Sequence, residues 1–296
     1  MQNSDFGKTI SYIRKKKAIP VKEVIGEKLT RSAYSRFASG QTQTSIENFS
    51  YMLSNLHVNF EEFEYIKNDY EPNRYQKFLI KAQKAAHLQN IEELKYIYEK
   101  LNDYAKINND MVPLHFSCIV KLTINKIRGE EYDKYSRETI INYLKLCESW
   151  THYELMLFNN AMFIFDLSLV KIMKRKVIHN LEKYQNLRSY GSESFRVLIN
   201  ILTLFIDNNM LNEAVLLVDE IEEFHLRDDM FFEKTLRMYF MGIIQMIRKK
   251  RLENILLEQS MDVLRILSND EYYKALLMYI EKVKKMYKIN IVSSAE

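Results

Sequence analysis

Arg31, Ser32, Tyr34 and Ser35 stand close together in "TRSAYSRFASGQT" (30–42), a polar stretch between two hydrophobic ladders. These side chains, at this spacing, suit the recognition of base edges. An arginine can bridge guanine O6 and N7, a serine hydroxyl both donates and accepts, and a tyrosine can reach a phosphate or a thymine methyl. Arg36, Gln41 and Gln43 follow where phosphate contacts are expected, and Arg14 and Lys15 upstream could also reach a nucleic-acid backbone. The opposing possibility is a small solvated helix without a ligand. Charge favours the former. Residues 1–40 hold nine Lys/Arg against three acids, a net of +6, whereas the whole chain carries +4. A polyanion partner for the N-terminal end is the natural expectation.

Five short helices are needed to position that stretch. Phe6, Ile10 and Ile13 recur at i, i+4 and i+7, and "RKKK" (14–17) falls where cations complement the helix macrodipole. Pro20 opens a second helix with Val21, Val24 and Ile25 facing inward and Leu29 closing it. Thr30 serves as N-cap of a third helix, from Arg31 to about Ser39, with Gly40 at its C-terminal end. Ala33 and Phe37, four apart, are expected inward, leaving Arg31, Ser32, Tyr34 and Ser35 exposed. Thr44 with Glu47, and Asn59 with Glu62, form capping-box patterns for the fourth and fifth helices. Helices two and three have helix-turn-helix proportions, in which the second helix of the pair enters the major groove.

"NDYEPN" (68–73) is a polar boundary, giving a helix-turn-helix domain over 1–67, a linker over 68–73 and a second domain over 74–296. Beyond it the pattern is helical at 74–87, 90–107, 111–128, 133–148, 151–166, 168–187, 192–208, 211–226, 229–250, 252–268 and 270–288, with breaks at residues such as Pro113, Gly129 and Gly191. Helix pairs recurring at about 40 residues indicate a tetratricopeptide-like α-solenoid. The fold class expected is therefore all-α. Solenoids of this kind grip extended peptides. Asn159 and Asn160 inside one hydrophobic helix, and Asn200 inside another, are notable because a buried amide needs a partner. An Asn amide can pair with both N–H and C=O of a peptide backbone, or with a neighbouring repeat.

Other chemistries find little support. There is no phosphate-cradling glycine loop, HExxH or CxxC motif, and the acidic doublets are spaced like solvated helix faces. His115 with Cys118, and Cys147 near His152, are pairs of metal-binding type, but buried Cys and scattered His are the commoner explanation. No nucleophile is paired with a base, so neither an enzyme, a cofactor nor a metal is expected. Two cysteines suggest a reducing compartment. "MQNSDFGKTI" lacks the apolar core of a signal peptide, and no apolar run approaches membrane-span length, so a cytoplasmic protein without a membrane partner is expected.

The stretch "DFGKTISYIRKKKAIPVKEVIGEKLTRSAYSRFASGQ" resembles the N-terminus of the Rgg family of peptide-sensing transcriptional regulators. Gly7, Lys8 and Thr9, then Arg14, then Ser35, Arg36, Phe37 and Gly40 match the family's pattern, while Ala38 stands where the family usually has Glu. "WTHYELMLFNNAMFIF" (150–165) is similar to the family's Trp-x-x-Tyr-Glu-Leu-x-Leu-Phe pattern through Trp150, Tyr153, Glu154, Leu155, Leu157 and Phe158. The resemblance implies a regulator controlled by a short hydrophobic signalling peptide, with Asn160, Tyr190 and Asn200 as candidate peptide contacts. A homodimer on an inverted-repeat operator in double-stranded DNA is expected, because a single module buries little surface. The alternative is a helical-repeat adaptor that binds a protein partner and does not bind DNA specifically.

Overall fold

A computed structural model describes residues 4–72, 74–184, 186–251, 254–267 and 270–289, all helix and connecting turns. The chain divides into two compact units, residues 1–93 and 94–296. Among the described residues no helix is long and apolar enough to cross a membrane.

The first unit is built on α1 (Ser4–Lys16), α2 (Val21–Ile25), α3 (Arg31–Ala38), α4 (Ile46–Asn55) and α5 (Phe60–Lys67), followed by α6 (Arg74–His87). Ile10, Ile13, Val24, Phe37, Phe49, Met52, Leu56 and Phe63 make its core. Phe6 packs on Phe49 and Phe63 at 5.6 and 5.4 Å between ring centroids. The signature glycine of the N-terminus has a packing reason. A Cβ on Gly7 would lie 1.8 Å from the Phe37 carbonyl oxygen, so only glycine lets α1 approach the end of α3. Gly26, at φ +50°, turns the chain out of α2, and a Cβ there would meet the Tyr51 hydroxyl. Lys17 donates to the Leu56 and His57 carbonyls and so closes the end of α4, a structural use of one cation in the "RKKK" run.

Local capping follows the expected chemistry with one shift. Thr30 Oγ1 accepts from the Ala33 N–H at 3.1 Å, and Asn59 with Glu62 forms a reciprocal capping box. The fourth helix is capped by Ser45, which accepts from the Asn48 N–H, rather than by Thr44. Both residues precede the same apolar ladder, and the hydroxyl that lies opposite the N–H three residues on takes the role. α2 is also shorter than expected, and Leu29 falls in the turn that follows it.

The second unit continues α7 (Ile91–Asn108) and adds α8 (Met111–Arg128), α9 (Lys134–Leu146), α10 (His152–Ala161), a 3-10 turn at Met162–Ile164, α11 (Leu167–Tyr184), α12 (Arg188–Asp207), α13 (Leu211–Glu223), α14 (Phe231–Lys249), α15 (Ile255–Leu267) and α16 (Asp270–Met286). Gly129 ends α8 in the left-handed conformation. Pro113 and Gly191, expected at breaks, sit in the first turns of α8 and α12, where a helix tolerates both. α8, α9 and α10 pack side by side in order, as do α11 to α16, and successive even-numbered helices also pack directly: α8 on α10, α10 on α12, α12 on α14, α14 on α16. Within this unit no odd-numbered pair packs as closely among the described residues. In a curved two-layer stack the more closely spaced layer is the inner one, so the even helices form the inner layer of a helical-repeat solenoid.

The motif around Trp150 holds this stack together. Trp150, 2% exposed, donates to the Leu144 carbonyl, and its own carbonyl accepts from Asn180 at 2.6 Å. Asn180 in turn accepts from Ser194, which ties α10, α11 and α12. Glu154 accepts from the Thr151 N–H and hydroxyl and from Tyr143 Oη at 2.6 Å, anchoring the start of α10 to α9. Burial raises the Glu154 carboxyl pKa, but those hydrogen bonds outweigh it and the net pKa lies below the ordinary value. Tyr153 meets His115 Nδ1 at 2.7 Å, and burial lowers the His115 pKa. Cys118 is buried and Cys147 half-buried, both as free thiols.

Candidate nucleic-acid interface and sensing layer

α3 begins at the Thr30 cap and presents Arg31, Ser32, Ser35 and Arg36 to solvent. Arg31 and Arg36 have no carboxylate partner among the described residues, and Ala38 supplies none where the family pattern has Glu. Lys15 and Gln41 are exposed, as is Gln43. The row can therefore meet a polyanion without first breaking an internal ion pair.

Two residues expected in this row turn out to be structural. Tyr34 is 5% exposed and belongs to the core, not to the surface. Its hydroxyl accepts from Arg14 Nε at 3.2 Å, while another guanidinium nitrogen of Arg14 donates to the Ile19 carbonyl at 3.0 Å. Arg14 is half-buried and spans the end of α1, the following turn and α3. A tyrosine is buried at low cost when its hydroxyl has a partner, and Arg14 provides one. Ala33 is only half-buried, because Tyr34 shares the inward face with Phe37.

In the second unit, Asn159 on α10 and Asn200 on α12 meet across the inner layer. Asn200 Nδ2 donates to Asn159 Oδ1 at 2.7 Å, a pairing between repeats rather than within a helix. Asn200 is nevertheless exposed and Asn159 half-buried. Asn160 donates to the Met156 carbonyl of its own helix at 2.8 Å. Tyr190 is in the first turn of α12, and its side chain lies outside the described residues.

The same layer carries aromatic rings that sequence reasoning did not single out. Lys126 on α8 lies 4.5 Å above the Phe163 ring beside α10. Arg196, one turn before Asn200, lies 6.0 Å from the centre of the Phe232 ring on α14, which packs at 5.4 Å on Tyr272 of α16. Each inter-helix step among Asn159, Asn200, Arg196, Phe232 and Tyr272 is close to one forty-residue repeat, the spacing that places residues side by side in one layer. That spacing was the available signal.

A family model for the C-terminal domain of the HTH-type transcriptional regulator Rgg matches residues 95–276. The chain belongs to the Rgg family. The structure of RopB is similar, with 30% identity, coverage of 76% of this chain and 99% of that one, and a TM-score of 0.58. The Streptococcus dysgalactiae SHP pheromone receptor Rgg2(C45S) matches at 21% identity over 94% of this chain and 99% of its own, TM-score 0.77. The PrgX/cCF10 complex matches at 16% identity over 95% and 92%, TM-score 0.71. Within this Rgg-family chain, Gly7 and Phe37 meet where α1 docks on α3, and Glu154 fixes the start of α10.

Proposed function

We propose that this Rgg-family chain is a sequence-specific DNA-binding transcriptional regulator, in the cytoplasm, whose activity is set by a short hydrophobic peptide. Residues 1–67 are the reader, 68–73 the connection and 74–296 the sensing and dimerisation domain. The observation that carries the reading is the unpaired, exposed row Arg31, Ser32, Ser35 and Arg36 on the second helix of a helix-turn-helix. Arg31 and Ser32 open the helix and address base edges, whereas Arg36, Gln41 and Lys15 address phosphates. The peptide assignment is supported by the inner even-helix layer with its Asn159–Asn200 pair, and by likeness to an SHP pheromone receptor. Two copies read an inverted repeat, and the peptide acts by favouring one arrangement of the two reading helices.

Selection from a random duplex library on the full chain tests this. The reading predicts enrichment of an inverted repeat. Absence of any enriched sequence, with equal retention of DNA by wild type and Arg31→Ala, would leave the protein-binding adaptor as the better description.

A further inference from the structure

Several cations of the inner layer are engaged. Lys234 pairs with Asp228 at 3.2 Å, Lys282 with Asp207 at 2.7 Å, and Arg237 donates to the Glu222 and Phe224 carbonyls. Arg196 and Lys126 instead each face an aromatic ring without a carboxylate partner among the described residues, and of the two only Arg196 offers a planar, two-pronged donor. It is exposed on α12, lies 6.0 Å from the centre of the Phe232 ring, and has no carboxylate partner among the described residues. The nearest acid on α14, Glu233, is 6% exposed and already accepts from Ser192. A guanidinium laid on an aromatic face keeps its N–H edge free and loses little freedom on binding, the arrangement best suited to a bidentate carboxylate.

We propose that Arg196, held on Phe232, is the subsite that receives a carboxylate of the bound peptide. The inference rests on the peptide-sensing reading and specifies the ligand's chemistry. Arg196 and Asn200 are one turn apart, about 6 Å along α12. One turn is a short separation, so the carboxylate binds next to the stretch of peptide that meets the Asn159–Asn200 pair. The layer from α8 to α14 spans three helix spacings of about 9 Å, which an extended peptide of about eight residues would cross. The carboxylate is either the peptide's C-terminus or an Asp or Glu side chain, and the two sources are separable.

The probes are random octapeptide pools, with free-acid or amidated C-termini, each made with and without Asp and Glu. They are retained on the immobilised full chain, and the bound peptides are quantified by mass spectrometry. Wild type is expected to favour carboxylate-bearing peptides about tenfold or more. Loss of that preference on amidation assigns the C-terminus, and its survival in amidated pools containing Asp and Glu assigns a side chain. Arg196→Gln should abolish the preference while retaining the carboxylate-free peptides as well as wild type does, and Phe232→Leu should reduce it. Because Arg196 is exposed, Arg196→Gln is expected to melt at the wild-type temperature. Equal retention of carboxylate-bearing and carboxylate-free peptides by wild type overturns the inference, as does a preference that survives Arg196→Gln. Retention of no pool by wild type removes the peptide-sensing reading itself, and the inference with it.

Discussion

Tyr34 is next to Ala33, and on α3 the two flank Phe37 by about 60° and 40° at about 100° per residue. Either could have joined the inward face. Apolar periodicity alone favours the alanine and leaves the tyrosine outside, because the hydroxyl needs a partner that no nearby residue supplies. Arg14, 20 residues earlier in the chain, is that partner. Tyr34→Phe is accordingly expected to cost about 0.5–1.5 kcal/mol of stability by leaving Arg14 Nε without its acceptor. It should leave base preference unchanged. Thermal melting and competition between duplexes separate the two, and a changed base preference at constant stability would return Tyr34 to the DNA-contacting row. The asparagines behave similarly at this scale. Asn159 and Asn160 differ by one residue on α10, yet only Asn159 reaches across to Asn200.

Among elements, the docking of α1 on α3 depends on a missing side chain. Gly7→Ala places a methyl 1.8 Å from the Phe37 carbonyl oxygen, and the clash is with backbone, which cannot rotate away. A loss of about 1–3 kcal/mol is expected, with weaker binding to all duplexes alike. Circular-dichroism melting checks it, and an unchanged midpoint would show that α1 does not pack there. α8, α9 and α10 are joined by the buried His115 and Glu154 with the half-buried Tyr143 and Tyr153. Burial lowers the His115 pKa from 6.5, so below about pH 6.5 the unfolded chain takes up a proton that the folded chain resists. Stability from neutral His115 is complete above that pH and declines below it. Glu154, with its net pKa below 4.5, contributes above that value and loses its contribution at still lower pH. Urea unfolding followed by fluorescence of Trp150, the sole tryptophan and 2% exposed, reports this unit. His115→Phe should flatten the pH dependence between about pH 7 and 5. An identical slope would remove His115 from the account.

At the level of the whole molecule, the helix boundaries were largely legible, since few glycines and prolines and a sustained 3.6-residue period leave little else to form. The helix-turn-helix and the repeat character were also legible. The sites were less so, because both depend on rotation about a helix axis and on partners far away in sequence. One residue of rotation separates Ser45 from Thr44 as a cap, and one repeat separates Arg196 from the ring it packs on. The proposed function places two reading helices about one duplex turn apart, on a dimer that reads an inverted repeat. The most direct test is competition binding across every single-base variant of the enriched half-site, comparing wild type with Arg31→Ala and Lys15→Ala. The account predicts that Arg31→Ala loses about 1–3 kcal/mol and its preference at one base pair alone, whereas Lys15→Ala weakens all variants alike and lowers the salt slope by about one. A uniform loss in Arg31→Ala, or no loss, would contradict it.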